Sequence, residues 1–377
     1  GVGRGGWKMR DVLKLSIPSF VCCEIPSARG DSLLLEMKNR TRISGREENP
    51  FCTLQLKENS PSSPSLVWSE TFHGVNGTCV SGCMSFSAIS LSNSSLHVFT
   101  CAGRRALPPI DLPSPCVSMA ISGNNQILAV ITRSAHVFVW DVSSSTCLVR
   151  EECHPVIHEL CNQEFSKQPN VELRMTQEGW PIVYLDEEKI HLYHFSLKTW
   201  LNIGSAHYQN SAFYSTIGAR KCSGVSLTLS HGVERNGNEG NENDLLSSLQ
   251  RVQGPPSLDQ TVLPQDGNED QTITHLEHQL ASSYVLKSEK EYERWLSLYL
   301  HHLCRIGAKR KLQELCDSFL IKNDSLLFTF AQKNEEKENE NEEGKERLKK
   351  VIGMMRKSNH QHLHRLAARY ELDIGEM

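Results

Sequence analysis

Between Ser32 and Leu229 the chain is written as a series of short apolar runs of strand size. Runs such as "SLVWSETF", "LHVFTC", "QILAVIT" and "PIVYLDEEKIHLYHF" are rich in β-branched and aromatic residues. Gly, Pro, Asn and Ser separate them at intervals of roughly 8 to 12 residues, the spacing of an all-β sandwich, barrel or propeller. The stretch from Met84 to Glu151 narrows the choice. It reads as strand, turn "SNSS", strand, turn "AGRR", a Pro-rich crossing "LPPIDLPSP", then strand, turn "SGNN", strand, turn "TRSA", strand, turn "SSST" and strand. A repeating four-strand meander of this kind is how propeller blades are built, because each strand pairs only with its sequential neighbours before the sheets pack. No Gly-His opens every blade, so the propeller is a degenerate one.

The strand after "TRSA" is "VFVWDV", Val137 to Val142. A Trp-Asp pair there has an ordinary structural reading, with Trp140 a core residue at a strand end and Asp141 a turn acceptor. It also has a functional one, in which the pair lies at a lateral interface between subunits, where aromatic anchors supply much of the binding energy.

The fold class expected is mainly β followed by α: a degenerate WD-repeat, β-propeller-like domain over residues 31–231 after an upstream tail at 1–30. Residues 232–271 are polar, with Gly and Pro and little periodicity, and read as a flexible linker. The period then switches from two to 3.6, giving a helical bundle over 272–377. Ile273, Leu276, Leu280 and Tyr284 mark one helical face. "SEKE", Ser288 to Glu291, forms a capping box for the next helix, on which Tyr292, Trp295, Leu296, Tyr299 and Leu303 share a face, with Gly307 as its stop. Tyr292, Trp295 and Tyr299 are the candidates for a partner-helix face. Leu312 to Leu320 repeats the pattern, and Leu348, Val351, Ile352 and Met355 begin a further helix.

The net charge of −4 and a pI near 6.5 give no broad basic surface, so direct DNA binding is not expected. The acidic run Asn334 to Arg347 could attract basic proteins such as histones, but composition favours a solvated insertion. No apolar run is long enough to span a bilayer, and thirteen irregularly spaced cysteines read as reduced thiols. The chain opens on Gly1 rather than Met, and is expected to be the trailing part of a longer protein.

Cys153, His154, His158 and Cys161 lie within nine residues in "CHPVIHELC", and thiolate with imidazole is what zinc prefers. Pro155 interrupts any helix that would align them, and the segment reads as a loop with incidental Cys and His. The histidines of "HLEH" (His275 to His278) and "HHLC" (His301 to Cys304) are placed on solvated or boundary helix faces. With no nucleophile elbow, P-loop, dinucleotide fingerprint or zinc-protease motif, neither catalysis, a cofactor nor a metal is expected.

Several of these segments match one family in order: "GRRALPPIDLPSP" (Gly103 to Pro115), "VFVWDV", "TQEGWPIVYL" (Thr176 to Leu185), "SLKTW" (Ser196 to Trp200) and "LEHQLASSYVLKSEKEYERWLSLYLHHL" (Leu276 to Leu303), with "LQELC" after it. The chain resembles, from about Leu66 to its end, the C-terminal region of HIRA-type histone chaperones, the Tup-like enhancer-of-split domain. The resemblance implies a nuclear scaffold in a complex that deposits a replacement histone H3 with H4 independently of replication. It implies self-association as a homotrimer, with Trp140 and Asp141 taking part, and a Cabin-type partner subunit, histones being reached through the complex. The alternative is a transcriptional co-repressor module that recruits DNA-bound regulators.

Overall fold

The computed structural model describes residues 12–25, 32–44, 47–59, 65–162, 169–185, 189–204, 208, 211, 213, 246, 268–320 and 339–375. The chain divides into two compact units, Gly1–Gly204 with Cys222–Asn236, and Ser205–Lys221 with Gly237–Met377.

The described strands of the first unit form four four-stranded antiparallel sheets, each a meander of consecutive strands. The first holds β1 (Phe20–Ile25), β2 (Ser32–Ser44), β3 (Glu47–Asn59) and β4 (Ser65–His73). The second holds β5 (Gly77–Gly82), β6 (Phe86–Leu91), β7 (Ser95–Thr100) and a two-residue β8 (Ile110–Asp111). β9 (Cys116–Ile121), β10 (Ile127–Thr132), β11 (His136–Asp141) and β12 (Thr146–Glu152) make the third; β13 (Val171–Met175), β14 (Pro181–Leu185), β15 (Lys189–His194) and β16 (Thr199–Gly204) make the fourth. These are WD40-like blades, and the leading strands β1, β5, β9 and β13 pack against one another in that order.

Why the central runs are apolar without interruption follows from the packing. On β10, Ile127, Ala129 and Ile131 turn toward the fourth sheet, packing with Leu173, Val183 and Leu185. Leu128 and Val130 turn the other way, against Phe86, Ala88 and Val98 of the second. A strand covered on both faces gains nothing from polar alternation. Five of the hairpins use one turn, with a residue near φ 50–70° where the chain re-enters the sheet: Ser94, Asn125, Ala135, Ser145 and Lys198. Four of these fall in the turns marked "SNSS", "SGNN", "TRSA" and "SSST".

Two departures concern the ends of this unit. β1 lies inside the stretch read as an upstream tail, and Leu13, 2% exposed, joins the core between the third and fourth sheets while its N–H bonds Arg133 O. Helix α1 (His154–Asn162) forms where Pro155 was expected to prevent one. Pro155 is the second helical residue, where its missing N–H would have had no intrahelical partner.

In the second unit α2 (Glu269–Val285), α3 (Glu289–Ile306), α4 (Lys309–Leu320), α5 (Asn339–Lys357) and α6 (Gln361–Gly375) form the bundle. α2 begins inside the 232–271 stretch read as linker, and α5 inside the acidic run. Asn268 caps α2 through its side-chain oxygen, which accepts from Asp270 and Gln271 N–H. Gly307, at φ 73°, ends α3 in the left-handed region as its position in the sequence requires. Ser288 does stand at the α3 N-cap, but its hydroxyl donates to the Glu291 carboxylate (2.7 Å), which also accepts the Leu246 N–H (2.6 Å). The capping box is replaced by a buried carboxylate held by donors.

The first and second sheets are joined through Trp68 of β4, whose indole N–H donates to Cys101 O (3.0 Å) and whose ring lies 5.4 Å from Phe99. Gly103 has φ 80°, and a Cβ there would stand 2.6 Å from Trp68 Cγ. Gly103→Ala is therefore expected to destabilise the β unit by about 2–4 kcal/mol through strain and overpacking. Urea unfolding checks this, and an unchanged midpoint would remove Trp68 as the joint.

Candidate functional site

Trp140 and Asp141 end β11 at the rim of the third sheet. Trp140 is half-buried; it stacks on Phe138 (5.5 Å between centroids, 7° between planes) and packs against the core shared by the second and third sheets. It pairs with Leu128 on β10 and Cys147 on β12. The register of β11 and β12 shifts between Val139 and Trp140, so that Leu148 has no opposite residue. Leu148, on the edge strand β12, is 44% exposed. Bulges of this kind re-aim side chains at sheet edges.

Asp141 Oδ1 accepts from Ser143 N–H (2.9 Å), Ser143 Oγ (2.6 Å) and Ser144 N–H (3.2 Å). The Ser143 hydroxyl first, then the Ser144 donors, hold its carboxyl below the usual carboxylate range. The residue thus ties the turn to the strand end.

Tyr292, Trp295 and Tyr299 do share one face of α3, and the bundle itself covers that face: the three are only 4%, 4% and 5% exposed. Tyr299 donates to Glu277 of α2 (2.5 Å), and Tyr292 lies 6.5 Å from Tyr284. Trp295 meets the His275 ring edge-on at 6.0 Å. Within this chain, α2 covers these residues and leaves them little exposed surface.

The histidines on α2 and α3 depart further from their expected solvated faces. His275 and His302 are 3% and 1% exposed. His275 accepts from Gln279 Nε2 at its own Nε2 (2.9 Å), so its Nδ1 carries the proton donated to Ser211 Oγ (2.9 Å). The buried face of α2 is therefore His275, Gln279 and Ser283 beside Leu276 and Leu280, whereas Tyr284, expected on the apolar face, is exposed. A hydropathy pattern counts such polar positions as solvated, and only the matching donors and acceptors would have revealed them.

In "CHPVIHELC", α1 turns Cys153 into the core and leaves His154, His158 and Cys161 exposed, so the four do not converge. Burial pushes the Cys153 thiol up to about 12, away from the thiolate a metal needs. Among the described residues no group of three His, Cys, Asp or Glu side chains is placed to hold a metal ion.

A family model described as Hira: TUP1-like enhancer of split matches residues 103–319, from the end of the second blade into α4. The chain belongs to the Hira family. It is 29% identical to Protein HIRA of Gallus gallus over 295 residues, covering 77% of this chain and 26% of that protein. Protein HIRA of Homo sapiens is 30% identical over 232 residues (60% and 20%), and Protein HIR2 of Candida albicans 23% over 313 residues (76% and 30%). The chain spans about a quarter of the length of the curated relatives it matches. A crystal structure of HIRA residues 644–1017 covers 95% of this chain and 98% of its own at a TM-score of 0.51 and 20% identity, a shared fold.

In this Hira chain the buried imidazoles carry a pH dependence. Desolvation lowers both His275 and His302 to about 4, with His278 adding to the effect at the first and Arg305 at the second. An unfolded imidazole titrates near 6.5, so between about 6.5 and 4 the unfolded chain takes up protons that the folded one does not. Stability is complete above that window and is lost as pH falls through it, by about 1.4 kcal/mol per pH unit for each group. Urea unfolding followed by helical circular dichroism should show the slope between about pH 6.5 and 5. His302→Gln should reduce it, and a bundle equally stable across the window would exclude neutral burial.

Proposed function

We propose that this chain is the assembly region of a nuclear histone H3–H4 chaperone: a scaffold that self-associates as a trimer and holds a Cabin-type partner subunit for replication-independent nucleosome assembly. The observation that carries the reading is the Hira match, which runs without a break from the end of the second blade into α4 and so takes in part of each unit. Its mechanism is avidity. Joining several subunits raises the effective concentration of weak histone contacts without new chemistry.

For the self-association surface we put forward the rim of the third sheet, with half-buried Trp140, the turn held by Asp141 and exposed Leu148 on the edge strand. An edge strand offers unpaired backbone groups, and an exposed leucine beside a partly exposed tryptophan supplies apolar anchors. Trp140 also packs between two sheets, so its removal lowers stability as well, by about 1–3 kcal/mol.

Sedimentation of the purified chain at micromolar concentration should give the mass of a trimer. Leu148→Asp, which leaves the sheet-to-sheet core untouched, should lower that mass at an unchanged melting temperature, and Trp140→Ala should lower both. A chain that sediments as a monomer would overturn the reading. Recovery of DNA-bound regulators without chaperone subunits in a pull-down would favour the co-repressor alternative.

A further inference from the structure

Neighbouring sheets of the β unit meet through apolar seams, and polar ties cross those seams near the leading strands. Asn39 of β2 joins the first sheet to the second: its side-chain amide donates to Gly77 O (2.8 Å) and accepts the Gly77 N–H (2.7 Å). Ser118 of β9 accepts the Leu173 N–H (3.0 Å) and joins the third sheet to the fourth. Where the second sheet meets the third, thiols stand in that place. Cys79 of β5 donates to Cys116 O (3.5 Å), and Cys83, just past β5, donates to Asn125 O (3.8 Å). A thiol is a weak donor, so of these three ties the middle one holds least.

The same pair brings two sulfurs together. Cys116 is fully buried at the start of β9, Cys79 is half-buried on the adjoining β5, and both line the core shared by the two sheets. Burial first, and then the Cys79 thiol beside it, hold the Cys116 thiol well above its ordinary value. Other neighbouring thiols lack this combination of contact and access. Cys304 with Cys316, and Cys23 with Cys83, are buried at both sulfurs. Cys101, the half-buried neighbour of Cys83, donates its thiol to Met84 O.

We propose that Cys79 and Cys116 form a reversible disulfide that staples the second sheet to the third when a hydroperoxide is present. Oxidation begins at Cys79, the sulfur with an open side. Its thiol takes one peroxide oxygen, the O–O bond breaks and water leaves, giving a sulfenic acid. The Cys116 sulfur then attacks Cys79 Sγ, the S–O bond breaks, and the Cys116 proton leaves with the hydroxyl as water. Two thiols and one hydrogen peroxide thus give one disulfide and two water molecules, and a dithiol reductant reverses the change. The attacking form is the Cys116 thiolate, which burial disfavours, so the second step is slow at neutral pH and quickens as pH rises. The staple concerns the seam alone and forms equally in a monomer, whatever the assembly state of the chain.

A cross-link that closes a loop of about 38 residues restrains the unfolded chain, so the stapled β unit is expected to melt roughly 5–10 °C higher than the reduced one. The test treats the full chain with a modest excess of hydrogen peroxide at about pH 8, blocks the remaining thiols with N-ethylmaleimide and maps the digest by mass spectrometry without reductant. A peptide pair joined through Cys79 and Cys116, lighter by two hydrogens and separated by dithiothreitol, is expected together with the higher melting temperature. In Cys116→Ser the Cys79 sulfenic acid has no resolving partner, so dimedone should trap it and the rise in melting temperature should vanish. Cys79→Ser, at the half-buried position, should leave Cys116 unoxidised, and it keeps the test decisive where Cys116→Ser destabilises the fold. The proposal is overturned if Cys79 and Cys116 stay reduced while the exposed Cys22, Cys147 and Cys161 are oxidised, or if Cys79 passes to its sulfinic acid with Cys116 free. It is also overturned if the link forms only after unfolding in urea, or if the linked chain melts no higher than the reduced one.

Discussion

A sheet that is apolar on both faces has to be covered twice, and the β unit is organised by that demand. The third sheet states it most fully: odd positions of β10 and β11 (Ile127, Ala129, Ile131, Val137, Val139) lie against the fourth sheet, and even ones (Leu128, Val130, Phe138) against the second. Removing either neighbour would expose a continuous apolar face, so no blade is stable by itself and the sheets must fold as a series. Hairpin turns can then recur in one form, because each blade needs the same meander and differs only in the side chains that meet its neighbours.

The helical unit solves a different problem, that of holding polar groups inside a small bundle. Glu291 is fully buried and accepts from Ser288 and from the Leu246 backbone, and His275 is bonded at both ring nitrogens. Buried groups satisfied in this way specify one arrangement of helices, since any slip would strand a donor or a carboxylate away from water. The price is acid sensitivity, because an imidazole kept neutral by burial opposes the protonation that unfolding allows.

Legibility of the sequence followed from how local the cause of each feature was. The meander from Met84 to Glu151 and the Gly307 stop were readable because strand period, turn residues and a left-handed cap are properties of a few neighbouring residues. β1 carried a readable signal that was overlooked: "FVCCEI" buries Cys23 and Ile25 and exposes Phe20 and Glu24 in alternation. α1 was hidden by treating Pro155 as a breaker wherever it falls, although a first-turn proline is compatible with a helix. The buried faces of His275 and His302, and the covered state of Tyr292, Trp295 and Tyr299, depend on tertiary neighbours that no local window contains. Of the proposed interface pair, the turn role of Asp141 was readable from its place before "SSST", but the bulge that exposes Leu148 arises from strand pairing.

On the interface proposed above, the position of Trp140 would join stability to assembly. Its ring closes the seam between the second and third sheets while part of it remains open at the rim, and Asp141 fixes the turn that ends the strand. A partner that covers this rim would remove the remaining ring surface from water and restrain the turn, so binding there and closure of the seam reinforce each other. Such coupling would mean that loosening the seam from within weakens association too. On that proposal, buried residues of the seam such as Phe138 and Leu128 would affect assembly through the conformation of Trp140. Their effect should scale with the stability they remove, whereas that of an exposed rim residue such as Leu148 should not.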